Sequence, residues 1–311
     1  MRVPNTNEKR MSFQLPTELN CPPEELWAYT TLVYGEKGIG KTSLAAQFPD
    51  HLVFQFEPRR RNLTIRQIWE SQQKGAEGKP LDWPTFKEGV EHLVDNGPEK
   101  TGVRCVAIDT IDRSYQRCLE YICADAGIEH PNDANDYGKT WDKIKKEYER
   151  TLAELGQAGY GVILTSHAKE QRITPPMGDA FDQLTPTCPS APFNVAKALC
   201  DFVFYYGYHG STRVFTVRGT QAVFASCGVD NHFLNPQGKK LLTIDAGTTP
   251  EEAFNHLLSG YNNQSDGILW TPPASVLDSD DYEYAIETLA ERDKQPQKTS
   301  VRKLSRQTAN V

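Results

Sequence analysis

The sequence predicts an α/β fold: a mainly parallel sheet with helices on both faces and an antiparallel extension toward its C-terminal end. Three observations carry this. Short apolar, β-branched and aromatic runs alternate with longer stretches at helical spacing, the pattern of a sheet covered on both faces. The first such run, Trp27 to Tyr34, passes directly into a glycine-rich turn and then a helix-forming stretch. Three later runs, Asp201 to Tyr206, Thr212 to Arg218 and Gln221 to Ser226, follow each other closely, which suits antiparallel neighbours.

Taken in order, residues 1–26 are polar and proline-containing and read as an extended lead-in. After the first strand and its turn, Ser43 to Phe48 reads as a short helix stopped near Pro49-Asp50, and Leu52 to Phe56 as a second strand. Residues 63–96 look helical, with Trp83-Pro84-Thr85 as a helix start. Arg104 to Ile108 is the next strand, and residues 112–126 and 139–157 carry helical patterns. Gly161 to Thr165 is a further strand, followed by a long loop opened by Pro175-Pro176 and running to about Pro192. A helix is expected over 250–259. This gives a core at 27–261 and a flexible tail at 262–311, with a short helix possible at 282–292 and a basic, apolar-poor end.

The bulk composition narrows the function classes. A chain of 311 residues holds one large domain plus extensions. A formal charge of −7 argues against coating nucleic acid by bulk charge, yet leaves room for a local basic groove. The seven cysteines form no CxxC pair, so buried free thiols in a reducing cytoplasm are expected. No apolar run approaches the roughly 20 residues needed to span a bilayer. A cytoplasmic location, the host's if the chain is phage-encoded, follows as the expectation.

The chemistry concentrates at Gly35-Glu36-Lys37-Gly38-Ile39-Gly40-Lys41-Thr42, a full G-x-x-x-x-G-K-[ST] match that leaves a buried strand and enters a helix at Ser43. The glycines let the loop turn backbone N–H groups onto phosphates, helped by the helix N-terminus. Lys41 is expected to bridge the β- and γ-phosphates of ATP, and the Thr42 hydroxyl to ligate Mg²⁺. A second carboxylate must hold the metal's shell. Asp109, closing an apolar strand, is the candidate; a helix cap is its alternative reading, and Asp112 is a neighbour of either kind. Glu57, at the end of the strand after the P-loop helix, is the candidate to orient the attacking water, against a surface carboxylate paired with Arg59, Arg60 or Arg61. His167, after Thr165-Ser166, is the candidate γ-phosphate sensor, against an ordinary loop histidine.

The order of these segments resembles RecA-like P-loop ATPases, and most resembles the compact phage RecA-core proteins of single-strand annealing and recombination. The residues that carry it are Gly35 to Thr42, Phe56-Glu57, Ile108 to Asp112, Tyr137 to Trp141 and Leu164 to Lys169, within a similarity spanning about 28–260. The resemblance implies ATP hydrolysis by Glu57, sensing by His167, and a homo-oligomer with ATP at the subunit interface. It implies a single-stranded DNA-binding loop at about 168–195 offering Lys169, Arg172 and Phe181. It further implies that Arg218 acts in the neighbouring subunit's nucleotide site, with surface salt-bridging as an equal alternative. Asp179 and Asp182 dilute the DNA loop, and Ser226 to His232 lacks the expected basic element. Arg59 to Arg61 and the basic tail are alternative sources of charge, and the tail could instead dock a partner protein. A motor or loader ATPase, or a nucleotide-gated scaffold with little turnover, are the competing function classes.

Overall fold

A computed structural model describes residue 15 and residues 21–58, 61–175 and 179–270. Strand β1 (Thr30–Gly35) is buried almost throughout and lies at the centre of the sheet. It runs parallel to β5 (Gly161–Ile173) on one side and β7 (Phe202–His209) on the other. Beyond β5 come β4 (Cys105–Asp109), β2 (His51–Gln55) and the two-residue β3 (Gln67–Ile68), all parallel. Beyond β7 the sheet turns antiparallel through β8 (Thr212–Thr216), β10 (Leu241–Asp245) and β11 (Ile268–Leu269). Two strands lie off this path: β6 (Phe181–Pro186) pairs with β5, and β9 (Ser226–Cys227) with β7.

Side chains alternate between faces along the central strands, as a two-residue period requires. Leu32, Tyr34, Phe54, Val106, Ile108 and Leu164 point to one core, which α2 (Trp83–Thr101), α3 (Ile111–Asp125), α4 (Lys139–Gln157) and α5 (Ser190–Leu199) cover. Val33, Val53, Cys105, Ala107 and Ile163 point to the other, covered by α1 (Lys41–Ala45) and α6 (Pro250–Tyr261). Both faces being closed explains why these strands read as unbroken apolar runs.

Four expectations shift. The helix expected over 63–96 begins only at Trp83, where Asp82 caps it by accepting from the Thr85 N–H. Before it, Gln67–Ile68 pairs with β2 as β3, and Gly75 and Gly78 adopt φ of +81° and +75°, outside the helical region. Gln221 to Ser226 is no strand; a two-residue strand starts at its end, and β10 takes the outer place. The long loop after Thr165 is instead a hairpin of β5 and β6 followed by α5. Finally, the core extends past 261. Strand β11 pairs with β10, and Trp270 donates from its indole to the Gly219 carbonyl at 2.9 Å. At the other end, Tyr29 and Tyr261 both donate to the Pro23 carbonyl, so the last residues of the lead-in are packed. The possible helix at 282–292 and the basic tail lie outside the described residues.

Candidate functional site

The glycine-rich loop leaves β1 at the sheet's C-terminal edge and closes on α1. Gly35 passes so near β7 that a Cβ there would meet the Tyr206 carbonyl at 2.0 Å. Gly40, immediately before Lys41, has φ of +111°. Neither position tolerates a side chain without rearrangement. The first N–H groups of α1, on Lys41, Thr42 and Ser43, have no acceptor within the helix. These residues line a cavity of about 230 Å³ together with Lys37, Gly38, Glu57, Asp109 and His167.

The Lys41 ammonium is buried and donates to the Gly35 and Glu36 carbonyls, each at 2.9 Å. It also lies 3.4 Å from Nδ1 of His167, a residue whose place on β5 is directly across from Gly35. An ammonium only donates, so Nδ1 accepts and the imidazole proton sits on Nε2. That proton is then donated to Oε1 of Glu57 at 2.8 Å. The Phe56 and Glu57 N–H groups donate to the Asp109 carbonyl at 2.8 and 3.3 Å, which fixes the segment carrying the glutamate.

Asp109 is fully buried and accepts from three side chains. Thr165 donates to Oδ1 at 2.6 Å, while Thr42 and Gln55 donate to Oδ2 at 2.7 and 2.8 Å. Those donors come from β5, α1 and β2, so one carboxylate ties together three elements around the loop. Every one of these groups except Gln55 and Thr165 was expected at the site. Both are polar residues near the ends of apolar strands, and that placement is the signal that could have found them. Asp112 does not cap α3, which starts from Thr110; it accepts from Ser166 at 2.8 Å and Thr187 at 2.6 Å instead. Arg213, also not anticipated, donates to the Ile39 carbonyl of the loop at 3.4 Å and to the Gly247 carbonyl at 3.1 Å.

Arg218 is a correction. Its guanidinium is 7% exposed and donates to the carbonyls of Phe233, Leu241 and His232 at 2.8–3.0 Å. It holds the antiparallel extension together, with both terminal nitrogens engaged within the chain. The hairpin residues fare differently from one another. Lys169 is exposed, Arg172 is engaged with Asp182 at 3.0 Å, and Phe181 is half-buried opposite Ile173.

The sequence of residues 28–226 matches the family described as an AAA domain. The chain belongs to the AAA domain family. Among solved structures, it is similar to a KaiC-like protein of the hyperthermophilic archaeon Pyrococcus horikoshii OT3, with 14% identity over 72% of this chain and 88% of that one, at a TM-score of 0.40. No curated protein matches it. The AAA domain holds a P-loop nucleotide site on a mainly parallel sheet, in which β5 separates the P-loop strand β1 from the Asp109 strand β4.

The donor set fits Mg²⁺ with a nucleotide. Among the described residues no group of three or more His, Cys, Asp or Glu side chains could hold a metal by itself. A hydroxyl and one carboxylate 2.7 Å apart are instead the hard-oxygen share that Mg²⁺ takes from protein when phosphates and water supply the rest. Held by Thr42 and Asp109, such an ion would supply positive charge against the phosphates. The AAA domain's own residues are arranged around it: the loop and Lys41 line the cavity, Asp109 accepts from the Thr42 hydroxyl, and Glu57 stands at the cavity wall against His167.

Proposed function

We propose that this chain is a Mg²⁺·ATP-hydrolysing protein that works as a homo-oligomer, binds single-stranded DNA according to nucleotide state, and promotes strand annealing or recombination. The observation that carries the hydrolysis is the run of contacts Lys41–His167–Glu57 along the wall of the cavity. A phosphate that draws the Lys41 ammonium toward itself removes the partner of Nδ1, and the grip of His167 on Glu57 changes with it. Support for the DNA step comes from the hairpin, because β5 continues from His167 through exposed Lys169 without a break.

The test is ATP turnover with and without a single-stranded oligonucleotide, with Asp109→Ala as control, alongside light scattering in each nucleotide state. Turnover that rises with DNA and vanishes in the variant supports the proposal. Turnover indifferent to DNA, with no nucleotide-dependent DNA affinity at low salt, overturns the DNA role. A mass that stays monomeric in every nucleotide state overturns the oligomer.

A further inference from the structure

On the far side of Glu57 from the P-loop lies a hollow of about 460 Å³ lined by Glu57, Arg61, Trp69, Arg113 and Arg117 among others. Three guanidinium groups share it in a chain where 41 acidic residues outnumber 34 basic ones. Arg117 pairs with Glu120 at 2.7 Å, whereas neither Arg61 nor Arg113 forms an ion pair with any described residue. A second hollow of about 360 Å³ continues the first, sharing Pro80 and Arg117 and adding Lys79 and Tyr121, with Asp82 and Glu120 also on its wall. The two make a trough rather than a closed pocket, and its inner end is the carboxylate that also lines the nucleotide cavity.

We infer that this trough holds a stretch of single-stranded nucleic acid, with a base against Trp69 and phosphates against Arg61, Arg113 and Arg117. Guanidinium forks match phosphate geometry, and an indole offers the flat face on which any base stacks. An acidic peptide uses the cations but has no need of the indole, so the combination favours nucleotides. The inference rests on the DNA reading above and moves the contact from the hairpin to the back of Glu57. A strand lying there touches the group that orients water, which gives DNA a direct route to the rate of hydrolysis.

The experiment is fluorescence anisotropy of a fluorescein-labelled oligothymidylate with the full chain, titrated across a sodium chloride series. Trp69→Ala is expected to weaken binding about tenfold or more, while Trp69→Phe keeps a stacking face and stays near wild type. Arg113→Gln, at an exposed position, is expected to reduce the slope of log affinity against log salt by about 0.7, the value of one phosphate contact on a single strand. Wild-type binding with both Trp69→Ala and Arg113→Gln unchanged overturns the trough while leaving DNA binding intact. No oligothymidylate binding by the wild type at low salt overturns the trough and the DNA role together. If Trp69→Ala alters the mass seen by light scattering but not the anisotropy, the trough seats a second copy of the chain and the nucleic-acid assignment fails.

Discussion

At the scale of single residues, the site is a set of charges whose partners are already chosen. Lys41→Ala removes a charge-assisted phosphate contact, and nucleotide affinity is expected to fall by about 1.5–3 kcal/mol, roughly tenfold to over a hundredfold. Isothermal titration with a non-hydrolysable ATP analogue checks it, and normal affinity contradicts the role given to Lys41. Glu57→Gln keeps the shape and the bond from His167 but loses the acceptor strength needed to orient water. Its kcat is expected to drop by about 100-fold or more, read in a single-turnover assay. The thiols offer a prediction of a different kind. Burial pushes Cys105 and Cys188 up to about 12, and raises Cys118 as well, so none supplies thiolate near neutral pH. Ellman's reagent at pH 8 should therefore modify exposed Cys21 quickly in the native protein and reach these three only after denaturant is added.

At the scale of elements, most of the sheet was legible because its strands are buried on both faces and so carry unbroken apolar runs. Strands β1, β2, β4 and β7 fall within a residue or three of expectation, and α4 falls on its expected bounds. The P-loop, Asp109, Glu57 and His167 could be placed because each follows such a run at the same edge. What escaped was structure whose pattern is weak. Strand β6 puts two polar residues side by side at Asp182-Gln183, without the alternation of a half-buried strand, and owes its existence to pairing with β5, a partner visible only once the chain has folded. The helical appearance of 63–82 is overridden by pairing of Gln67–Ile68 with β2 and by two glycines at positive φ. Arg218 was misplaced for a related reason: a strand's end says nothing about which carbonyls lie within reach of a long side chain. Caps, in contrast, are local. Thr249 and Glu252 form a reciprocal capping box at the start of α6, and Thr249→Ala is expected to cost about 1 kcal/mol. In a domain of this size that lowers the melting temperature by about 2–4 °C, measurable by differential scanning fluorimetry.

At the scale of the molecule, two halves of unequal character share one sheet. The parallel half carries the chemistry, and the antiparallel half braces the loop from behind through Arg213 and closes with β11. Ending the chain after Tyr261 strips β11 from β10 and removes both bonds made by Trp270, to Lys240 and Gly219. A chain ended after Trp270 keeps them. The shorter form is expected to melt lower by about 4–8 °C, on the basis of roughly 2 kcal/mol in lost pairing. Equal melting curves would show that the outer strand contributes nothing. Strand β5 reaches from the nucleotide cavity to the surface. Its inner half is clamped between β1 and β4, and its outer half pairs with β6. From His167 to Ile173 the ribbon extends about 20 Å at strand rise. Paired without a break along that length, it would act as a lever were a bound phosphate to tilt it at His167: each degree would sweep the far end through about 0.35 Å.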